Sequence, residues 1–283
     1  MTISVQGRNR RAELGDFLKA RRAQVSPADV GLPPGPRRRT PGLRREEVAQ
    51  LAGVGVTWYT WLEQGRPINV SSQVLDAVAR TLGLSPPERT HLYRLTESTP
   101  ARSEPEACAD ESTLVEILMA LDPLPAVISN TRFDILKVNE PFRNLFHDWH
   151  SLPCVHKNLL WCIVTEPRAR QSLLNYDTEV PYLVARLRSA YGEHLGDPLW
   201  EEDIARLCNV SPEFEELWSR HEVAACQPRP RHVVHPIAGE LHLTVTEMAL
   251  PAYPDLRLFV ETPADAQTRT RLPLATQPPP PNA

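Results

Sequence analysis

Residues 46–66 read EEVAQLAGVGVTWYTWLEQGR, a pattern that predicts two short helices joined by a tight turn. Helices that cross steeply need a small residue at their contact, a turn residue that tolerates the left-handed conformation, and an apolar anchor on the second helix. Ala49, Gly53 and Tyr59 stand at these positions, and Gly53 is the expected stop of the first helix. We expect the core of this unit to come from Val48, Leu51, Val54 and Leu62.

The second helix of this unit lacks the Gln, Asn or Arg that a DNA-reading helix usually shows. It carries Val56, Thr57, Trp58, Tyr59 and Trp61 instead, so it can be either a DNA-reading helix or a buried one. Trp61 lies about 200° around the helix from Tyr59 and cannot share its buried face. We therefore expect Trp61 to be exposed and Trp58 to be partly buried, with packing of both as the alternative.

Helices are predicted at 10–23, 44–52, 56–64, 71–82 and 86–97, of which the second and third form this unit. Ser71 or Ser72 can cap the helix at 71–82. Prolines and glycines make residues 26–43 a loop. This loop holds Arg37, Arg38 and Arg39, which form either a solvated charge run or a basic contact surface.

The charge of the chain is unevenly distributed. The net charge is −4, but residues 1–98 hold 15 Lys and Arg against 9 Asp and Glu. A basic N-terminal part on an acidic remainder suggests that only the former meets an anionic partner.

Cysteine spacing and hydropathy argue against several protein classes. The five cysteines form no CxxC pair, so neither structural zinc nor a disulfide framework is expected. No apolar run reaches the roughly 20 residues of a membrane span, and no signal peptide is recognisable. A cytoplasmic protein without membrane contact is expected.

The remainder of the chain predicts a second domain of mixed α+β class. Residues 1–98 are expected to form the first domain, 99–112 a linker, 113–263 the second domain and 264–283 a disordered Pro-rich tail. Strands are predicted at 126–128, 133–138, 231–237, 240–248 and 255–261, and helices at 139–148, 167–175, 178–192, 198–208 and 211–221.

Two stretches carry a resemblance to a known family. EEVAQLAGVGVTWYTWLEQGR resembles the helix-turn-helix of the XRE and phage-repressor superfamily. GPRRRTPGLRREEVAQLAGV, with LEQGR and a later RHEV…HP…GEL pattern, is similar to MmyB-like bacterial transcription regulators over about residues 10–263. The resemblance implies an all-α, lambda-repressor-like N-terminal domain of five helices. It also implies a C-terminal α+β, PAS-like domain with an antiparallel sheet that binds a ligand.

The resemblance also implies DNA-binding roles for individual residues. Gly55 takes the N-cap of the recognition helix, where related sequences usually have Ser or Thr. Glu63 matches a carboxylate that pairs with an arginine of the first helix, here Arg22, as an internal brace or as a plain surface ion pair. The expected DNA contacts to phosphate are Arg37, Arg38, Arg39, Arg44, Arg45, Gln64 and Arg66, and those to the groove are Val56, Thr57, Thr60 and Trp61. The arginine loop can also reach the minor groove.

For the second domain the resemblance implies a small apolar ligand such as a fatty acid. Suitable lining residues, each also an ordinary core residue, are Ile128, Phe142, Leu145, Phe146, Leu160, Trp161, Trp218 and Phe259. Arg220, His221 and His235 are candidates to hold a polar head, with a structural hydrogen bond as the alternative for His235.

Neither an enzyme nor a cofactor or metal protein is expected. His147 with His150 and His232 with His235 have HxxH spacing but no evident third ligand, and no catalytic motif occurs. The sequence thus predicts a homodimeric one-component regulator of transcription that binds double-stranded operator DNA. The alternatives are a C-terminal domain that only dimerises or contacts proteins, and a PAS-like enzyme or cofactor sensor with an accessory DNA-binding head.

Overall fold

The computed structural model describes residues 5–32, 42–68, 70–96, 111–146 and 157–277. The chain forms two compact units. The first comprises Met1–Ser103, Arg188–Arg206 and Glu215–Ala225, and the second comprises Glu104–Leu187, Leu207–Phe214 and Cys226–Ala283. Two later stretches of chain therefore belong to the same unit as the N-terminal helices.

The N-terminal part is entirely helical. Its helices are α1 (Val5–Gln24), α2 (Arg45–Ala52), α3 (Val56–Glu63), α4 (Ser72–Thr81) and α5 (Pro86–Thr96), with a short 3-10 turn at Pro27–Val30. The five predicted helices are confirmed, although α1 begins earlier than expected. Ser71 is the N-cap of α4, because its hydroxyl accepts a hydrogen bond from the Val74 amide.

The turn between α2 and α3 has the predicted geometry. Gly53 adopts the left-handed conformation, with φ of 69°, and its amide donates to the last carbonyls of α2. Ala49 and Tyr59 are completely buried, as the steep crossing of the two helices requires. This turn sets the direction in which α3 leaves the bundle.

The core of the helical bundle is built on α1. Leu14, Phe17 and Leu18 are buried, and a methyl group on Gly15 would lie 2.3 Å from the Glu63 carbonyl oxygen, so α1 packs directly against the end of α3. The expectation that Leu51 belongs to the core is wrong, since its side chain is 41% exposed. It lies about 200° around α2 from the buried Ala49.

One antiparallel sheet forms the centre of the second unit. Its strands are β1 (Ala126–Asn130), β2 (Ile135–Val138), β3 (Arg229–His235), β4 (Gly239–Leu250) and β5 (Tyr253–Pro263), in the order β2-β1-β5-β4-β3. Val127 on β1 pairs with Phe259 on β5. Strands that precede and follow a long helical insertion therefore lie side by side in the sheet. The predicted all-α domain followed by an α+β domain with an antiparallel sheet is confirmed.

Helices precede, interrupt and follow the strands. They are α6 (Glu111–Ala120), α7 (Glu140–Leu145), α8 (Leu159–Thr165), α9 (Pro167–Ser172), α10 (Tyr176–Tyr191), α11 (Pro198–Val210), α12 (Pro212–Ser219) and α13 (Ala266–Ala275). Helix α8 was not predicted, because a short and almost entirely apolar run has no helical periodicity.

The prediction of a disordered tail from residue 264 is wrong for α13. The Asp265 side chain caps this helix by accepting from the Thr268 amide, and Leu272 and Ala275 are buried. The sequence AQTRTRLPLA looks polar, and only tertiary packing gives it an apolar side. The PPPPNA end lies outside the described residues.

The two faces of the sheet have different neighbours. Ala126, Ile128, Leu258 and Val260 pack against Leu114 and Leu118 of α6 in one apolar cluster. Because side chains alternate along a strand, Val127, Phe259, Leu243 and Val245 point to the opposite face. This opposite face, here called the inner face, also carries charged residues.

Candidate functional site

The exposed side of α3 carries the residues predicted to face the DNA groove. Val56 and Trp61 are 46% and 39% exposed, Thr57 is exposed and Thr60 is half-buried, whereas Tyr59 and Leu62 are buried. Trp58 is half-buried, so the expected difference between the two tryptophans is confirmed. The apolar composition of α3 therefore reflects one buried side and one exposed side.

Two local contacts define the chemistry of this exposed side. The Thr60 hydroxyl donates to the Val56 carbonyl at 2.8 Å, so its hydrogen is already used within the helix. The Arg66 guanidinium lies 5.8 Å from the centre of the Trp61 ring, at cation–π distance. The surface thus presents methyl groups, one indole and one arginine.

Glu63, at the end of α3, is completely buried between two arginines. Its carboxylate accepts from Arg22 Nε at 2.5 Å and from Arg45 Nε at 2.6 Å. Arg22 also donates to the Leu43 carbonyl at 2.7 Å. Burial lowers the pKa of the Arg22 guanidinium, but Glu63 outweighs this effect and raises it. The Arg22–Glu63 contact is therefore an internal brace and not a surface pair, and the second arginine was not expected.

The other predicted phosphate contacts surround α2 and α3. Arg44 is exposed, and its amide donates to the Glu47 side chain at 2.7 Å, which orders the start of α2. Gly55 is the N-cap of α3 without a side-chain hydrogen bond, as predicted. Gln64 is exposed after the end of this helix. Arg37, Arg38 and Arg39 lie outside the described residues.

An open apolar groove of about 560 Å³ adjoins the N-terminus of α3. Its walls come from the starts of the consecutive helices α3 and α4, and the sequence pattern does not reveal it. It is lined by Val54, Gly55, Trp58, Val70, Ser71 and Val74.

Two of the residues predicted to bind a ligand lie side by side in the second unit. The Phe142 and Phe146 rings are 4.7 Å apart and both are buried, and Trp161 is half-buried on α8. The Arg231 guanidinium lies 6.0 Å from the centre of the Phe146 ring. An aromatic pair therefore adjoins a buried cation.

The inner face of the sheet carries a buried ion network that the sequence did not reveal. Glu179 on α10 accepts from Arg229 Nε at 3.0 Å and from Arg231 at 2.9 Å, and Arg231 also pairs with Glu261. Burial opposes ionisation of Glu179, but Arg231 and Arg229 outweigh it and lower its pKa. For Glu261 burial prevails over Arg231 and raises the pKa. The network links three elements that are remote in sequence.

The predicted head-group residues have other contacts in the structure. His235 Nδ1 accepts from the Ile237 and Ala238 amides at 3.2 Å, which orders the turn between β3 and β4. Arg220 is exposed and pairs with Glu216 one helical turn away. Trp218, Arg220 and His221 belong to the first unit, whereas the phenylalanines belong to the second.

Within the first unit, Trp218 and His221 surround Arg188. The buried Arg188 guanidinium lies 3.7 Å from the centre of the Trp218 ring, donates to the Trp218 carbonyl and pairs with Glu13. His221 Nδ1 lies 3.1 Å from Arg188 Nη1. Burial opposes ionisation of Glu13, but His221 and Arg188 lower its pKa to about 2. These residues form an ionic cluster around the first helix.

A second cavity, of about 410 Å³, lies at the end of β5. It is lined by Pro123, Leu124, Thr262, Pro263, Arg269, Leu272, Pro273 and Thr276. Among the described residues, no group of three or more His, Cys, Asp and Glu side chains could hold a metal ion. The pair His147 and His150 lies outside them.

Comparison with known proteins agrees with this architecture. Residues 13–92 match a helix-turn-helix domain. Residues 111–275, more than half of the chain, match the MmyB-like transcription regulator ligand binding domain. No curated protein matches the chain, and no helix of the described residues is long and apolar enough to cross a membrane.

The two matches together define a DNA-binding transcription regulator with a ligand-binding domain. Because the second match covers more than half of the sequence, the chain belongs to the family of MmyB-like transcription regulators.

Proposed function

We propose that this protein is a sequence-specific, one-component regulator of the XRE type that binds operator DNA as a homodimer in the bacterial cytoplasm. The observation that carries the proposal is the exposed side of α3, held outward by buried Tyr59, Leu62 and Glu63. Residues 1–98 bind DNA and residues 113–263 bind the ligand and dimerise. No catalytic activity and no bound cofactor are part of the proposal.

In this proposal α3 lies in the major groove and reads it mainly through apolar contacts. Val56, Thr57, Thr60 and Trp61 have no bidentate hydrogen-bonding group, so they favour thymine methyl groups. Positioning falls to the arginines and Gln64 on the DNA backbone, with the Arg37–Arg39 loop near the minor groove. Sequence preference then depends on DNA shape as well as on base contacts.

The proposed ligand is small and apolar, such as a fatty acid. What supports it is the match to a ligand-binding domain, together with the buried pair of Phe142 and Phe146 in the second unit. Trp161 is a further candidate contact. Trp218, Arg220, His221 and His235 remain candidates from the sequence, although each has another partner in the structure.

Two measurements test the proposal. Selection of bound fragments from a random duplex library should enrich one sequence motif, and an unenriched pool would refute sequence-specific binding. Mass spectrometry of the denatured, freshly purified protein should identify a co-purified apolar molecule. A protein without one, whose DNA affinity is unchanged by added dodecanoate, would instead support a C-terminal domain that only dimerises or contacts proteins.

A further inference from the structure

We propose that Glu63 is a positioning residue for DNA binding, because it fixes the Arg45 guanidinium in an orientation that allows it to bind a phosphate of the DNA backbone. This inference rests on the proposed operator binding. It concerns the second arginine at the Glu63 carboxylate, a contact separate from the brace to Arg22.

The two arginines at Glu63 are used differently. Arg22 is only 15% exposed. Its Nε and Nη2 donate to the Glu63 carboxylate, and its Nη1 donates to the Leu43 carbonyl. All of its nitrogens are therefore engaged inside the protein. Arg22 therefore holds α1 to the end of α3, and its low exposure leaves little of the guanidinium accessible to DNA.

Arg45, in contrast, is fixed at one nitrogen only. Its Nε donates to Glu63 at 2.6 Å, and its side chain is 42% exposed. Within the part of the chain that the structure describes, its two terminal nitrogens make no hydrogen bond. These two nitrogens form the fork that binds phosphate oxygens in a bidentate manner.

The location of Arg45 gives this fork a target. Arg45 is the first residue of α2, and the following helix, α3, presents the exposed recognition surface. Amide groups at a helix start attract phosphate, so the anchored fork and the N-terminus of α2 act on the same anion.

The energetic reason for the arrangement is loss of rotational freedom. A free arginine side chain gives up substantial rotamer entropy when it binds. Because Glu63 is buried and held by Arg22, it can restrain Arg45 before DNA arrives. Because the cluster contains one carboxylate and two guanidinium groups, it also carries a net positive charge.

The substitution Glu63→Gln separates positioning from simple electrostatics, because the two effects have opposite signs. Removing a negative charge near DNA should by itself tighten binding. Loss of the anchor should weaken binding by about two- to tenfold, the range expected for one side chain that must be immobilised. Binding of the full-length protein to a mixed-sequence duplex is measured by fluorescence anisotropy over a range of salt concentrations. Glu46→Gln is the matched control, since Glu46 is an exposed acid on α2.

Exchange of arginine for lysine gives a readout that a merely structural role of Glu63 would not change. Arg45→Lys keeps the charge but loses Nε and the fork, so it should weaken binding nearly as much as Arg45→Ala. Arg44→Lys, at an exposed arginine that is also a predicted phosphate contact, should weaken binding less than Arg45→Lys does. In the Glu63→Gln background, exchange of Arg45 for lysine should have little further effect.

Three results would overturn the proposal. One is a folded Glu63→Gln protein that binds as tightly as wild type or more tightly. Another is an equal penalty for Arg45→Lys in both backgrounds. If Glu63→Gln does not fold, equal effects of Arg45→Lys and Arg44→Lys in the wild-type background would refute it. A wild-type protein that binds no duplex would refute the DNA-binding role itself, which is a different outcome.

Discussion

At the scale of single residues, His91 shows how burial makes stability depend on pH. Its side chain is 2% exposed, packs edge-on against Phe17 and has no hydrogen-bond partner for either ring nitrogen within the described residues. Burial lowers its pKa to about 4, reinforced by Arg188, Arg94 and His221 and opposed by Glu13. The folded protein therefore holds His91 neutral where the unfolded chain would bind a proton.

Stability should consequently fall as the pH drops from about 6.5 towards 4. In this interval the unfolded state binds the additional proton, so acid favours unfolding. Between pH 7 and pH 5 we expect His91 to account for a loss of about 2 kcal/mol in the free energy of unfolding. Denaturant titrations at both pH values should show this loss in wild type and a smaller one in His91→Leu. An identical loss in the variant would contradict the assignment.

Thr57 is the residue expected to carry base preference on α3. It is exposed and its methyl group is available for a thymine, whereas the Thr60 hydroxyl is already engaged with Val56. Thr57→Ala should change the preferred base at one operator position, at a cost of about 1 kcal/mol for the preferred sequence. Comparison of motifs selected by the two proteins checks this. An unchanged motif would remove Thr57 from the reading surface.

At the scale of secondary-structure elements, the turn between α2 and α3 contains two glycines whose backbone conformations differ. Gly53 has a positive φ of 69°, a conformation that a side chain disfavours. Gly55 has an extended backbone and caps α3 without a side chain, and a methyl group there would meet nothing closer than 4.0 Å. The first glycine is required by its conformation and the second is replaceable.

Substitution at these two positions should therefore have opposite effects on stability. Gly53→Ala should destabilise the protein by about 1–2 kcal/mol. Gly55→Ser should stabilise it by a few tenths of a kcal/mol, because serine supplies the missing cap. Thermal unfolding of both variants beside wild type measures the difference. An undiminished stability of Gly53→Ala would contradict the role of the left-handed turn, and a destabilised Gly55→Ser would contradict the role of the cap.

At the scale of the whole molecule, the proposed homodimer sets the geometry of the operator. Two recognition helices related by a twofold axis should bind half-sites about 34 Å apart on one side of the duplex. Light scattering of the purified protein should give twice the mass of the chain, and footprinting should show two protected half-sites in the same helical phase. A monomer that protects a single half-site would refute the dimer.

Much of the fold was predictable from sequence because local rules determine it. Apolar spacing, turn residues and helix-start signals together identified α1 to α5, and period-two alternation identified β3 to β5. The left-handed Gly53 and the buried Ala49 and Tyr59 followed from the needs of the turn alone. Prediction failed where the pattern was uninformative, as in the almost entirely apolar α8 and the polar-looking α13.

The sequence by itself determined that this chain has a helix-turn-helix and an α+β domain, since hydrophobic period, turn residues and motif spacing are properties of neighbouring residues. Only the tertiary structure decided which charges meet. Glu63 is shared by Arg22 and Arg45, and Glu179 is shared by two arginines of β3, across separations of up to 52 residues. Such contacts depend on how elements pack, and a buried carboxylate is stable only when packing brings it a cation. The same reason explains why Trp218 and His221, which are remote from Arg188 in sequence, surround its guanidinium.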